Sequence, residues 1–143
     1  MKEEVCQSVL EILEQKIKTV KKSVSSIQEA RNNETKSTAG DKYETGRAMM
    51  QAELEKQTLI LRQYQNQRVD ILKVKNTKSS EEVDFGSLVI TNQGNYLIAI
   101  GIGKIDKTFV ISLASPLGSA FRGLKSGDKV VFQNKEYRII NVK

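Results

Sequence analysis

Histidine is absent from this 143-residue chain, and cysteine occurs once, at Cys6. Those two facts exclude disulfide frameworks, zinc sites built from Cys or His, and every Ser-His or Cys-His nucleophilic pair. Tryptophan is missing too, and aromatic residues make up only 6% of the chain. With 38% hydrophobic and 28% charged residues, the sequence holds no apolar stretch long enough for a membrane span. Its first residues, MKEEVCQSV, put acidic side chains where a secretory signal needs basic and apolar ones. The expectation is a soluble, cytoplasmic protein of two small parts, without a membrane association.

A concentrated charge of one sign is also lacking. The net charge is +6, but residues 1–75 carry 14 basic and 11 acidic residues and residues 76–143 carry 9 and 6. The densest basic cluster is Lys16, Lys18, Lys21 and Lys22. These lysines flank apolar positions, as on the solvated face of a helix. A positive excess still favours approach to a large acidic assembly, such as one holding DNA or RNA.

What the sequence does have is periodicity. From Cys6, the positions Leu10, Leu13, Ile17, Val20, Val24 and Ile27 follow in steps of four and three, the seam of a coiled coil. A second seam runs through Met50, Leu54, Leu61, Tyr64 and Ile71, with Gln57 and Arg68 at its two polar positions. Pairing 27 with 50, 24 with 54, 17 with 61, 13 with 64 and 6 with 71 gives numbers adding to 77 or 78, so the seams mirror each other about residues 38 and 39. That predicts an antiparallel coiled-coil hairpin over 1–75, with its tip near 32–44. At ~1.5 Å per residue, thirty residues per arm set the tip ~45–50 Å from the other end. Cys6 lies on the seam and reads as a buried small side chain. Val5, Val9, Ile12, Leu59, Ile60, Leu72 and Val74 lie off or beside the seam. They either widen the contact within the hairpin or offer a face for self-association, the basis of a structural-adaptor reading.

Residues 76–84 read NTKSSEEVD, a polar linker without periodicity. Beyond them the period changes to that of strands. Ser87–Thr91, Tyr96–Ile100, Thr108–Leu113, Val130–Gln133 and Tyr137–Val142 are β-rich runs separated by turn signals. Ser115 as N-cap and Pro116 at the first helical position predict a short helix ending near Gly123. The expectation for 85–143 is a compact antiparallel α+β domain, with Tyr96–Ile102 at the centre of its sheet. Gly101-Ile102-Gly103-Lys104 has the outline of a phosphate loop but lacks the later glycine and the helix.

Candidate chemistry falls at the tip. Asp41 and Glu44 are three residues apart, which puts both carboxylates on one face of a helix starting there. Asp-x-x-Glu is also a capping box, in which the side chains satisfy end-of-helix amides. Two carboxylates suit Mg²⁺, a hard ion that takes a few protein oxygens and leaves its other positions to water and phosphate. Such a pair needs a site already furnished with a second metal and a phosphodiester.

Two motifs carry a resemblance. Gly40-Asp41-x-x-Glu44 resembles the tip of the Gre transcript-cleavage factors of bacterial RNA polymerase. Ser115-Pro116-Leu117-Gly118-x-Ala120-Phe121-x-Gly123, followed by Gly127-Asp128-x-Val130, is similar to the C-terminal domain of that family. The likeness spans nearly the whole chain in its order of parts. It implies a coiled-coil hairpin followed by a small FKBP-like domain. It further implies an elongation factor, an auxiliary to the polymerase and not itself an enzyme, expected as a monomer. The hairpin enters the polymerase secondary channel, and the acidic tip stimulates Mg²⁺-dependent cleavage of backtracked RNA. On that resemblance Asp41 and Glu44 share an Mg²⁺ held only in the complex, and no cofactor is bound by the chain alone. Lys42, Tyr43 and Arg47 become tip contacts to the RNA 3′ end, and Ser115, Pro116, Leu117 and Phe121 a partner-binding segment.

The chain departs from the family at Thr45-Gly46-Arg47, where an Asn, an acid and an aromatic are usual, and in a longer loop that includes Glu34, Lys36 and Ser37. The alternative is therefore a Gre-related channel regulator that modulates or inhibits the polymerase without cleavage. The zinc-containing channel regulator DksA fits less well, since no cysteine cluster exists. A prolyl isomerase follows from an FKBP-like fold alone, which does not assign function.

Overall fold

The computed structural model describes the backbone of residues 1–34 and 40–143 and the side chains of residues 1–33 and 45–143. Its elements are helix α1 (Lys2–Glu34), helix α2 (Gly40–Lys75), strands β1 (Leu88–Thr91), β2 (Gly94–Ala99), β3 (Gly103–Ile105) and β4 (Thr108–Ser112), helix α3 (Pro116–Phe121), and strands β5 (Lys129–Phe132) and β6 (Lys135–Val142). They form two compact units, one of Met1–Glu11 with Val69–Lys143 and one of Ile12–Arg68.

The Ile12–Arg68 unit is the paired length of α1 and α2. Its seam is built as the heptads require: Leu13, Val20 and Leu54 are buried, and Ile17, Val24, Ile27, Met50, Leu61 and Tyr64 are half-buried between the helices. Polar contacts bracket it. Arg31 Nη1 donates to Gln51 Oε1 at 2.8 Å, Arg68 Nη2 lies 3.8 Å from Glu14 Oε1, and Lys16 Nζ sits 5.5 Å from the centre of the Tyr64 ring. These partner numbers add to 82, 82 and 80, not to 77 or 78. The offset follows from side-chain direction. Each Cα–Cβ bond leans toward its own helix N-terminus, so between antiparallel helices the tips that meet come from residues further C-terminal on both.

In the other unit a six-stranded sheet runs in the order β3-β4-β2-β1-β6-β5. The expected antiparallel arrangement needs correction. β2 and β4 pair in parallel from Asn95↔Thr108 to Ala99↔Ser112, while all other neighbours are antiparallel, so the sheet is mixed. The cause is β3, three residues too short to register as a strand in the sequence. The chain leaves β2, passes through residues 100–102 to the outer side of β4, and returns through the Asp106-Lys107 turn. In Gly101-Ile102-Gly103-Lys104 the first two residues belong to this crossing and the last two open β3, with no helix after them.

Both faces of the central strands are covered. One carries the cluster Val83, Val89, Tyr96, Ile98, Phe121, Tyr137 and Ile139, closed by α3. The other carries the cross-strand row Leu88, Leu97 and Val110, each 0% exposed. The helical ends belong to the same unit. Val5, Cys6, Val9, Leu10, Ile71 and Val74 are buried in them, and Asn95, which shares the face of Leu97, donates to Met1 Sδ at 3.9 Å. Residues 76–84 form no helix or ladder strand but are tied at both ends. Thr77 bonds the Val74 carbonyl through both its N–H and its Oγ1, while Val83 exchanges backbone bonds with Leu124 and Gly123.

Candidate functional site

Helix α2 starts at Gly40, so Asp41 and Glu44 fall in its first turn. Carboxylates in a first turn meet the partial positive charge of the helix N-terminus whether or not they also hold a cation. The side chains of Asp41, Lys42, Tyr43 and Glu44 lie outside the described residues, as do Thr35–Ala39 of the expected tip. Thr45 and Arg47, the first departures from the family pattern, are exposed.

Next along α2, Gly46, Met49, Met50 and Glu53 enclose a groove of ≈ 560 Å³ with Ser26, Ile27 and Ala30 of α1. Further along the same pair of helices, Lys18, Lys21 and Lys22 line a groove of ≈ 570 Å³ with Glu14, Ile17, Ser25, Gln65 and Arg68. The lysine cluster is thus split. Lys16 lies over the Tyr64 ring, and the other three share a concave surface with Arg68 from the opposite helix. Sequence reading placed Arg68 only at a polar seam position. Its nearness to the lysines depends on the interhelical offset, which the heptad arithmetic did not contain.

The Ser115–Phe121 segment is organised as a cap. Ser115 Oγ accepts from Gly118 N at 3.0 Å and donates to the Ser112 carbonyl at 2.6 Å, and Pro116 occupies the first turn of α3. Pro116 is exposed, Ser115 and Leu117 are half-buried, and Phe121 is fully buried. Phe121 therefore supports this segment from below and offers no surface of its own. Its ring stands edge-on to Tyr96 and Tyr137, while Tyr96 stacks on Phe109 at 5.3 Å. These rings pack on one another and fill the space between sheet and α3. Burial, and then the neighbouring Tyr137, push the Tyr96 phenol up to about 12.

At the base of α1, burial pushes the Cys6 thiol up, with Lys2 and Lys75 opposing it and Glu3 adding to it. The same burial lowers the Lys2 ammonium. A protonated, enclosed thiol is a poor nucleophile, which gives Cys6 a packing role.

Among the described residues, no group of three or more His, Cys, Asp or Glu side chains is placed to hold a metal ion. No helix among them is long and apolar enough to cross a membrane. No protein-family model and no curated protein matches the chain.

Proposed function

We propose that this chain is a Gre-related elongation factor that binds a bacterial RNA polymerase and carries its α1–α2 reversal into the secondary channel. There it stimulates Mg²⁺-dependent cleavage of backtracked RNA. The observation that carries the reading is the position of Gly40-Asp41-x-x-Glu44. It opens the second helix of the α1–α2 pair, so Asp41 and Glu44 belong to the first turn of that helix. In this reading the C-terminal unit is an FKBP-like domain that docks at the channel rim through the surface around Ser115, Pro116 and Leu117. The chain works in the cytoplasm as an auxiliary and not as a free-standing enzyme.

As hard oxygen donors, Asp41 and Glu44 suit Mg²⁺, which in the polymerase site supplies an activated water and neutralises charge on the phosphodiester. The chain's own contribution is placement. Asp41 and Glu44 would share the ion and keep its water beside the phosphodiester, and Lys42, Tyr43 and Arg47 would meet the displaced RNA 3′ end. The concave surface of Lys18, Lys21, Lys22 and Arg68 favours phosphate-bearing chains near the arms.

The test is to add the protein with Mg²⁺ to arrested elongation complexes and follow transcript length. Shortened transcripts are expected, with Asp41→Asn and Glu44→Gln abolishing the shortening while binding persists. Cleavage indifferent to both substitutions would remove the role assigned to the acids.

Exposed Arg47 puts a cation three residues beyond Glu44 and favours a second reading, a channel-occupying regulator without cleavage. Binding and altered elongation without shortened transcripts would select it.

A further inference from the structure

Two cations face each other across the outer hairpin of the sheet. Lys129 of β5 is the direct cross-strand partner of Arg138 of β6, an arrangement that like charges oppose. Glu136 relieves only one of them, lying 3.8 Å from Lys129 Nζ, and Arg138 has no ion pair among the described residues. Residues 122–143 carry six basic and two acidic residues. The second acid, Asp128, is occupied as a backbone cap for the Lys125 N–H at 2.7 Å.

This cationic hairpin is also the open edge of the sheet, since β5 has a neighbour only in β6. The strands are joined through Gln133 and Asn134, whose φ values of 49° and 64° make a type I′ turn. In a two-residue hairpin the flanking pair, here Phe132 with Lys135, exchanges both backbone bonds, and so does every second pair after it. Lys129 and Val131 consequently turn their N–H and C=O groups away from β6. Among the described residues nothing bonds these outward groups. Val131 is 70% exposed, the most open large apolar side chain described. On the inner face, Val130 and Phe132 pack against the Tyr96 cluster but remain half-buried. An edge lysine normally defends such a strand against pairing, but Lys129 is drawn back across the hairpin to Glu136.

We propose that the free edge of β5 receives an extended, acidic segment of a partner protein by strand addition. The added strand bonds the outward groups of Lys129 and Val131. It sets acidic side chains on the outer face beside Lys129 and Arg138, and apolar ones on the inner face beside Val130 and Phe132. A nucleic acid fits this surface less well, because the outer face holds no aromatic ring on which a base could stack.

The full ¹⁵N-labelled chain, titrated with a synthetic peptide of alternating valine and glutamate, tests this. The amides of Lys129 and Val131 are expected to shift and to exchange hydrogen more slowly, and a valine-lysine peptide to leave them unchanged. Val131→Pro removes the outward N–H without touching a ladder bond, so the fold persists while affinity falls about tenfold. Arg138→Glu weakens the same peptide with the backbone intact, and answers the question if the proline variant fails to fold. Equal binding of both peptides, or shifts confined to other residues, overturns the proposal. Tighter competition by oligothymidylate at these amides would assign the edge to nucleic acid instead. A dimer of the peptide-free protein that Val131→Pro dissociates would assign it to a second copy.

Discussion

Gly118 shows how narrowly one position can be constrained. A Cβ placed there would collide with the Ser112 carbonyl oxygen and press on Ser115 Oγ, the two atoms that build the α3 cap. Gly118→Ala is expected to destabilise the protein by about 3 kcal/mol, read as a fall in thermal midpoint. Tyr96 sets a pH limit. Its phenol titrates at about 12 in the folded chain and at about 10 when unfolded. The native state therefore favours the neutral form. That contribution is complete below about pH 10 and is lost as the pH climbs toward 12. Tyr96→Phe should flatten the decline in stability across this window, measured by denaturant unfolding at stepped pH. Cys6, 1% exposed, is expected to react with a thiol reagent only as fast as the helical ends open. Immediate labelling of the native protein would contradict its burial.

At the scale of elements, the α1–α2 pair rests on its apolar seam far more than on the polar contacts beside it. Leu13 is 0% exposed, so Leu13→Ala should cost about 2–4 kcal/mol. Arg68→Ala should cost under about 1 kcal/mol, because its bridge to Glu14 joins side chains 44% and 57% exposed. A double comparison by urea unfolding checks both values. Both long helices were legible in the sequence, since Cys6 to Ile27 and Met50 to Ile71 keep heptad spacing over many turns. So was α3, because Ser115 and Pro116 are start signals. The side-chain register was not, because heptad positions index Cα atoms while contacts are made at the ends of leaning side chains. Strand β3 escaped because Gly103, Lys104 and Ile105 are neither alternating nor apolar, and with it went the parallel pairing of β2 and β4. For the candidate site, the spacing of Asp41 and Glu44 could be read directly. The meeting of Arg68 with Lys18, Lys21 and Lys22 could not, since it requires two helices at a known offset.

For the whole molecule, cutting after the long helices is not a neutral operation. Leu88, Leu97 and Val110 form a fully buried row in the unit that also holds Met1–Glu11 and the end of α2. A fragment of residues 76–143 should therefore bind a hydrophobic dye and melt below the full chain. A fragment as stable as the full chain would show that the row needs no cover. The proposed polymerase role has its own test at this scale. Removing residues 15–21 together with 61–67 takes one matched heptad from each arm and keeps the seam in phase. Transcript shortening should vanish while binding to the polymerase survives.

One unit is assembled from the first eleven residues and the last seventy-five. During synthesis the intervening hairpin is complete once Arg68 has been made and can zip as soon as α2 leaves the ribosome. The sheet has to wait for β6, the last of its strands in chain order. Maturation should thus proceed outward from the hairpin, with residues 1–11 held unpartnered until β6 has emerged. Slowing the ribosome over the codons of β5 and β6 would prolong that interval, and chaperone occupancy of the nascent chain should lengthen with it.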